Sequence, residues 1–254
     1  MNNYVTFLKK ELVESARTYK LLIMLCIFAL FGVASPMLAK LIPDILSSAA
    51  MDGMVVTIPT PTALDAWTQF FKNLSQICLF VTVIVFSGVL SVELSKGTLI
   101  NLLTKGLSRT TVILSKFSGM LLIWTASYAL SVLLSWWYTG VLFPGQALSN
   151  VFFSVFCLWL FGVFLLALLL FASTLLKNRI GCLLVTGGAV VVLSLLELFQ
   201  NFHRFNPLAL SSDNTRLLTN AVTVPDMAAA LAITGACIAG FVTASVLIFR
   251  KRQL

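Results

Sequence analysis

Residues 151–176 read VFFSVFCLWLFGVFLLALLLFASTLL, from Val151 to Leu176 without one charged side chain. A helix needs about 20 apolar residues to cross the roughly 30 Å of hydrocarbon in a bilayer. This run is long enough. It also lacks the strict in–out alternation of a barrel strand. Working outward with the same ruler gives five more candidates, at Leu21–Ala39, Leu74–Val92, Val112–Phe143, Ile180–Phe199 and Met227–Phe249. The expected fold is therefore an all-α membrane protein, a six-span helical bundle.

The composition of the 254-residue chain agrees, with 59% hydrophobic and only 10% charged residues and a mean hydropathy of +1.00. Soluble domains carry about 25% charged residues. They could not cover 20 Phe and 5 Trp without exposing large apolar patches. Disorder, a secreted disulfide scaffold and a nucleic-acid module are excluded. The net charge of +8 belongs against a bilayer, not a polyanion.

Lys and Arg accumulate in the cytoplasmic connections of membrane proteins. Thirteen of the 17 cations fall on one side of this layout: Lys9, Lys10, Arg17 and Lys20; Lys96, Lys105, Arg109 and Lys116; Lys177 and Arg179; Arg250, Lys251 and Arg252. Only Lys40, Lys72, Arg204 and Arg216 fall on the other, with six of the nine acids. Both termini are expected in the cytoplasm. The Glu11 and Glu14 carboxylates before the first span argue against a cleaved signal peptide.

The connections carry their own expectations. Val5, Leu8, Leu12 and Tyr19 recur at helical spacing, so residues 1–20 read as an amphipathic helix on the cytoplasmic membrane surface. Between spans two and three, Thr98 can begin a short helix and Gly106 can end it, with Leu99, Leu102 and Leu103 on one face. Ser108 can cap the helix that follows. A stub of this kind suits docking into a groove of another protein, and equally suits lying on the membrane. The outer segment 40–73 holds a Pro-rich run, then Thr62 and Asp65 as a helix start and Trp67, Phe70 and Phe71 as interfacial aromatics. The second outer segment spans 200–226. Lys177-Asn178-Arg179 is a tight turn that makes spans four and five antiparallel neighbours. In the last span Ala228, Ala232, Ala236, Gly240 and Ala244 form a smooth stripe, expected to pack within the bundle, with a seam between two chains as the alternative.

Chemistry of other kinds is missing. The single histidine, His203, cannot make a metal site and reads as an interfacial polar residue. No nucleotide-binding P-loop and no nucleophile elbow occur, so no catalytic residue is expected. Glu197, near the outer end of span five, is the lone intramembrane carboxylate candidate and reads as headgroup-level. The five cysteines lie within spans and read as packing residues. No substrate-binding residue can be named.

This layout resembles the permease subunits of type-2 ABC transporters, a group containing many bacterial drug, bacteriocin and antibiotic-resistance exporters. Three features carry the resemblance: the amphipathic Phe7-Leu8-Lys9-Lys10-Glu11-Leu12 opening, six spans with both ends inside, and Glu93-x-x-Lys96-Gly97-Thr98 leading to Ser108-Arg109. The last is similar to the family's cytoplasmic coupling region, here 93–110. The resemblance implies two copies of a separate ABC ATPase carrying ATP and Mg, a second permease chain, identical or sibling, and no cofactor on this chain. It implies an exporter of an apolar or amphipathic substrate in a cell membrane, bacterial inner membrane included. Glu93, Lys96, Gly97, Thr98, Leu99, Leu102, Leu103, Ser108 and Arg109 would form the ATPase interface. The family's short re-entrant outer helices would fall near Asn206–Ala221. A membrane binding, immunity or signalling protein that moves nothing is the alternative, and it would need no docking stub.

Overall fold

A computed structural model describes residues 3–49, 60–95, 97, 107–146, 148–176 and 178–251. Among these residues the structure is helical, without strands, and six helices are long and apolar enough to cross a membrane. The amino-terminal helix, Asn3–Arg17, comes first. It ends at Tyr19, whose left-handed backbone (φ 60°) turns the chain into the first span, Lys20–Ala49.

Two boundaries differ from the sequence reading. The first span continues as helix to Ala49, and the second helix begins at Ala63, so much of the expected outer segment 40–73 is helical. The reason at Ala63 is a reciprocal cap. The Thr62 N–H and hydroxyl both donate to the Asp65 carboxylate, at 2.8 and 2.7 Å, satisfying donors that the first helical turn leaves free. Trp67, Phe70 and Phe71 then turn inward and are buried, not interfacial. Phe70 meets both Trp67 and Phe71 edge to face, and Trp67 meets Trp136 of the third span in the same way, the arrangement aromatic quadrupoles favour.

The second span is not one regular helix. Ala63–Asn73 passes through a π turn, Leu74–Cys78, into Leu79–Phe86. The winding then breaks at Ser87–Leu90 and resumes as Ser91–Ser95. The third span, Arg109–Leu142, starts where Ser108 accepts the Thr111 N–H at 3.1 Å, as its sequence position suggests. The fourth (Val151–Leu175), fifth (Arg179–Glu197) and last (Ala228–Lys251) follow. Short helices at Gln200–His203, Ala209–Ser212 and Asn214–Leu218 precede the last span. The latter two lie within Asn206–Ala221, the region where the resemblance puts re-entrant helices.

The fourth span is the core, apolar on every side and enclosed by its neighbours. Trp124 of the third span lies against Gly162 of the fourth, where a side chain would collide with its ring. Its indole N–H donates to the Trp159 carbonyl at 3.2 Å, and the Tyr128 hydroxyl donates to the Val155 carbonyl at 2.8 Å. First and third spans meet backbone to backbone, since a Cβ on Gly32 would sit 2.7 Å from the Ser131 carbonyl oxygen. Ser127, Ser131, Ser135 and Thr139, four residues apart and buried, make that approach possible. The fifth and last spans are sparsely covered by comparison. Ala228, Ala232, Ala236 and Gly240 are exposed, and nothing lies within 4 Å of a Cβ on Gly240. In the single chain these four residues face outward and Ala244 is half-buried, the other spans packing elsewhere on the last helix.

Candidate functional site, a charged clamp below an apolar groove

At the basic end of the bundle the amino-terminal helix docks on the start of the third span. Tyr4 donates to Ser118 at 2.7 Å, and Phe7 and Glu11 are buried. The sequence reading placed Val5, with Leu8, Leu12 and Tyr19, on the apolar face of a helix lying on the membrane surface. The structure exposes Val5 and Val13 and turns Glu11 in. The physical reason lies 105 positions away. Lys116, with a side chain only 1% exposed, holds both Glu11 carboxylate oxygens at 3.1 Å and Glu93 at 2.9 Å. An unpaired buried ammonium would carry a large desolvation cost, and two carboxylates offset it.

Lys10 extends the cluster, at 2.7 Å from Glu14, 3.1 Å from Glu11 and 3.4 Å from Glu93. Burial alone lowers the Lys10 ammonium, but the Glu14 hydrogen bond and the Glu11 and Glu93 charges outweigh it, so its pKa rises. Glu14 moves the other way. Burial raises it, and the Lys10 hydrogen bond with the Lys10, Lys116 and Lys20 charges lowers it further. The three carboxylates are close enough to one another to suggest a cation site. The two ammonium groups already fill that role.

Three chain segments thus meet in one ionic clamp: the amino-terminal helix, the end of the second span and the start of the third. Beside it, Arg109 donates to the carbonyls of Phe249 and Arg250, both at 3.1 Å, closing the carboxyl end of the last helix. The amino-terminal helix and the end of the last helix therefore lie at the same end of the bundle. Of the residues expected to meet an ATPase, Glu93 and Arg109 point their charges inward at these partners. Gly97 adopts a left-handed turn (φ 67°) that closes Ser91–Ser95, a conformation glycine takes without a Cβ clash. Lys96, Thr98, Leu99, Leu102 and Leu103 lie outside the described residues.

Toward the opposite end, a groove of about 850 Å³ opens between the second and fifth spans and is backed by the fourth. Its walls are Leu79, Phe80, Val83, Phe161, Leu165 and Leu184; Lys72, Ser75, Gln76, Ser211 and Asn214 make one end polar. The π turn contributes Ser75 and Gln76 to this polar end. Widened turns of this kind recur at functional sites. The short helices cover the same end, held by Leu210, Leu217 and Leu218, which are buried.

Glu197 and His203, expected as separate headgroup-level groups, are joined there. The His203 ring bonds Asp213 at 2.7 Å and lies 3.6 Å from Glu197, which accepts the Ser212 hydroxyl. Arg216 pairs with Asp213 at 3.1 Å. No line of the sequence singles out the groove, because its residues come from four separated segments. The clamp leaves a trace: Glu11, Glu93 and Lys116 are charges at positions where helical spacing asks for apolar ones.

Spans, clamp and groove define a multi-pass helical membrane protein with one ion-paired end and a cavity between its helices. The family model described as ABC-2 family transporter protein matches residues 5–254. The chain belongs to that family, and so is a membrane permease of an ABC transporter, a class that associates with an ABC ATPase subunit. No individual curated protein matches the chain significantly.

Proposed function

We propose that the chain is the membrane-spanning permease of an ATP-driven exporter of apolar or amphipathic molecules. ATP hydrolysis takes place on a separate ATPase, and this chain supplies no catalytic residue. The groove carries this reading. Its long apolar walls suit a drug, lipid or amphipathic peptide, and its polar end gives a head group hydrogen-bond partners. Residues 93–110 take the ATPase's movement on the cytoplasmic side that the cation bias assigns. The clamp passes that movement to the amino-terminal helix and the third span. A second chain, identical or a sibling, completes the path.

The test has two stages. Mild detergent purification from the native host should recover a stoichiometric P-loop ATPase. In the reconstituted complex, Leu184→Trp, which fills the groove, should abolish stimulation of ATP hydrolysis by amphipathic dyes while basal hydrolysis continues. Repeated recovery of the chain without an ATPase would instead support the non-transporting binding or immunity reading. Stimulation undiminished by Leu184→Trp would remove the groove from the path.

A further inference from the structure

The break in the second span has an unusual partner. At its first turn the Ile84 carbonyl is left without a regular helical donor, and the Ser87 N–H reaches it only at 3.4 Å. Arg179 fills the position. One guanidinium nitrogen donates to the Ile84 carbonyl at 2.8 Å and another to the Ser87 hydroxyl at 2.7 Å. The Ser87 hydroxyl in turn donates to Ile84 at 2.8 Å. A cation at a helix carboxyl end is favourable, and the planar fork of arginine can hold two acceptors at once.

Arg179 is not part of the second span. It is the first residue of the fifth, whose next turns supply Leu183, Leu184 and Thr186 to the groove. Beyond the break, the Ser91–Ser95 helix carries Glu93 into the clamp. The guanidinium therefore joins three things: the lower end of one groove wall, the foot of the other, and the point where the coupling segment departs.

We propose that Arg179 is a positioning residue that ties the joint at Ser87–Leu90 to the foot of the fifth span, so that displacement of the 91–95 segment moves both groove walls together. This rests on the reading of the groove as the transport path. Without the tie, the lower end of the second span and the foot of the fifth would be held together by packing alone and would shift independently.

The test uses the complex isolated with its ATPase, in nanodiscs, with spin labels at Phe80→Cys and Leu184→Cys. Both positions are well exposed. Cys26 and Cys237, the less buried native thiols, are replaced by serine. Electron–electron distances are compared between nucleotide-free and vanadate-trapped states. The expected result is a nucleotide-dependent change in groove width that is at least halved in Arg179→Gln and in Ser87→Ala, while basal ATP hydrolysis persists. A full change in Arg179→Gln overturns the proposal. If that variant does not assemble, Ser87→Ala, which removes one hydroxyl, decides in the same way. A wild-type groove that does not respond to nucleotide overturns the transport reading and the tie with it; a wild-type response retained in both variants overturns the tie alone.

Discussion

Replacing Lys116 with Met keeps most of the side-chain volume and removes the ammonium, with its charge and the hydrogen bonds it donates to Glu11. The structure sets the size of the effect. The ammonium is 1% exposed and holds Glu11, itself 9% exposed, and Glu93, 15% exposed, at 2.9–3.1 Å. Removing one partner of a buried pair leaves an uncompensated charge and costs about 3–5 kcal/mol. Glu14→Gln is the internal comparison. Its pair with Lys10 is as short, 2.7 Å, but both side chains are more than 40% exposed. Pairs of that kind contribute about 0–1 kcal/mol. Unfolding in mixed detergent micelles by dodecyl sulfate, followed by tryptophan fluorescence, measures both. The double variant Lys116→Met, Glu11→Gln should recover part of the loss, with a coupling of about 0.5–3 kcal/mol. Lys116→Met no more harmful than Glu14→Gln, or additivity of the cycle to within about 0.5 kcal/mol, would refute the claim that this triad holds the amino-terminal helix.

Gly32→Ala should destabilise the chain by about 1–3 kcal/mol in the same assay, because the new methyl group meets the rigid backbone of Ser131. Gly240→Leu should change the stability of the single chain by less than about 0.5 kcal/mol, since its surroundings are open; loss of a cross-linked dimer in membranes would then assign the stripe to a second chain. The docking of the amino-terminal helix should be indifferent to pH across neutrality. Lys10 is raised from 10.5, so its contribution is complete below that value and lost only as pH climbs through the higher folded pKa. Glu14 is lowered from 4.5, so its contribution is complete above that value and lost as pH falls through the lower folded pKa. Spin-label mobility at Val5→Cys should therefore stay flat between those limits, and a transition near neutral pH would contradict the assignment.

Hydropathy alone located the six spans, since lipid forces a long apolar run wherever a helix crosses. Local caps were equally legible. Thr62 with Asp65 and Ser108 with Thr111 act within a few residues of themselves. What escaped depends on partners distant in sequence. The buried face of the amino-terminal helix passes through Glu11, and a carboxylate reads as solvent-facing until Lys116 is known to lie opposite it. Trp67, Phe70 and Phe71 match interfacial chemistry by composition. The first span, and for Trp67 the ring of Trp136 nearly seventy residues on, cover them. The joint at Ser87–Leu90 was hidden in an apolar stretch, and Arg179, counted only as one cation among many, turned out to hold it.

The π turn at Leu74–Cys78 lets the second span carry one residue more than regular winding would hold. An α-helix advances about 100° per residue, with 3.6 residues to the turn, so a residue added to regular winding would re-aim everything on one side of it by that angle. The widened turn takes the residue up locally instead. Ala63–Asn73 keeps its aromatic face buried while Leu79–Phe86 keeps Leu79, Phe80 and Val83 toward the groove, and the widened stretch sets Ser75 and Gln76 at the groove's polar end. The span thus gains polar contacts without giving up the register of either half.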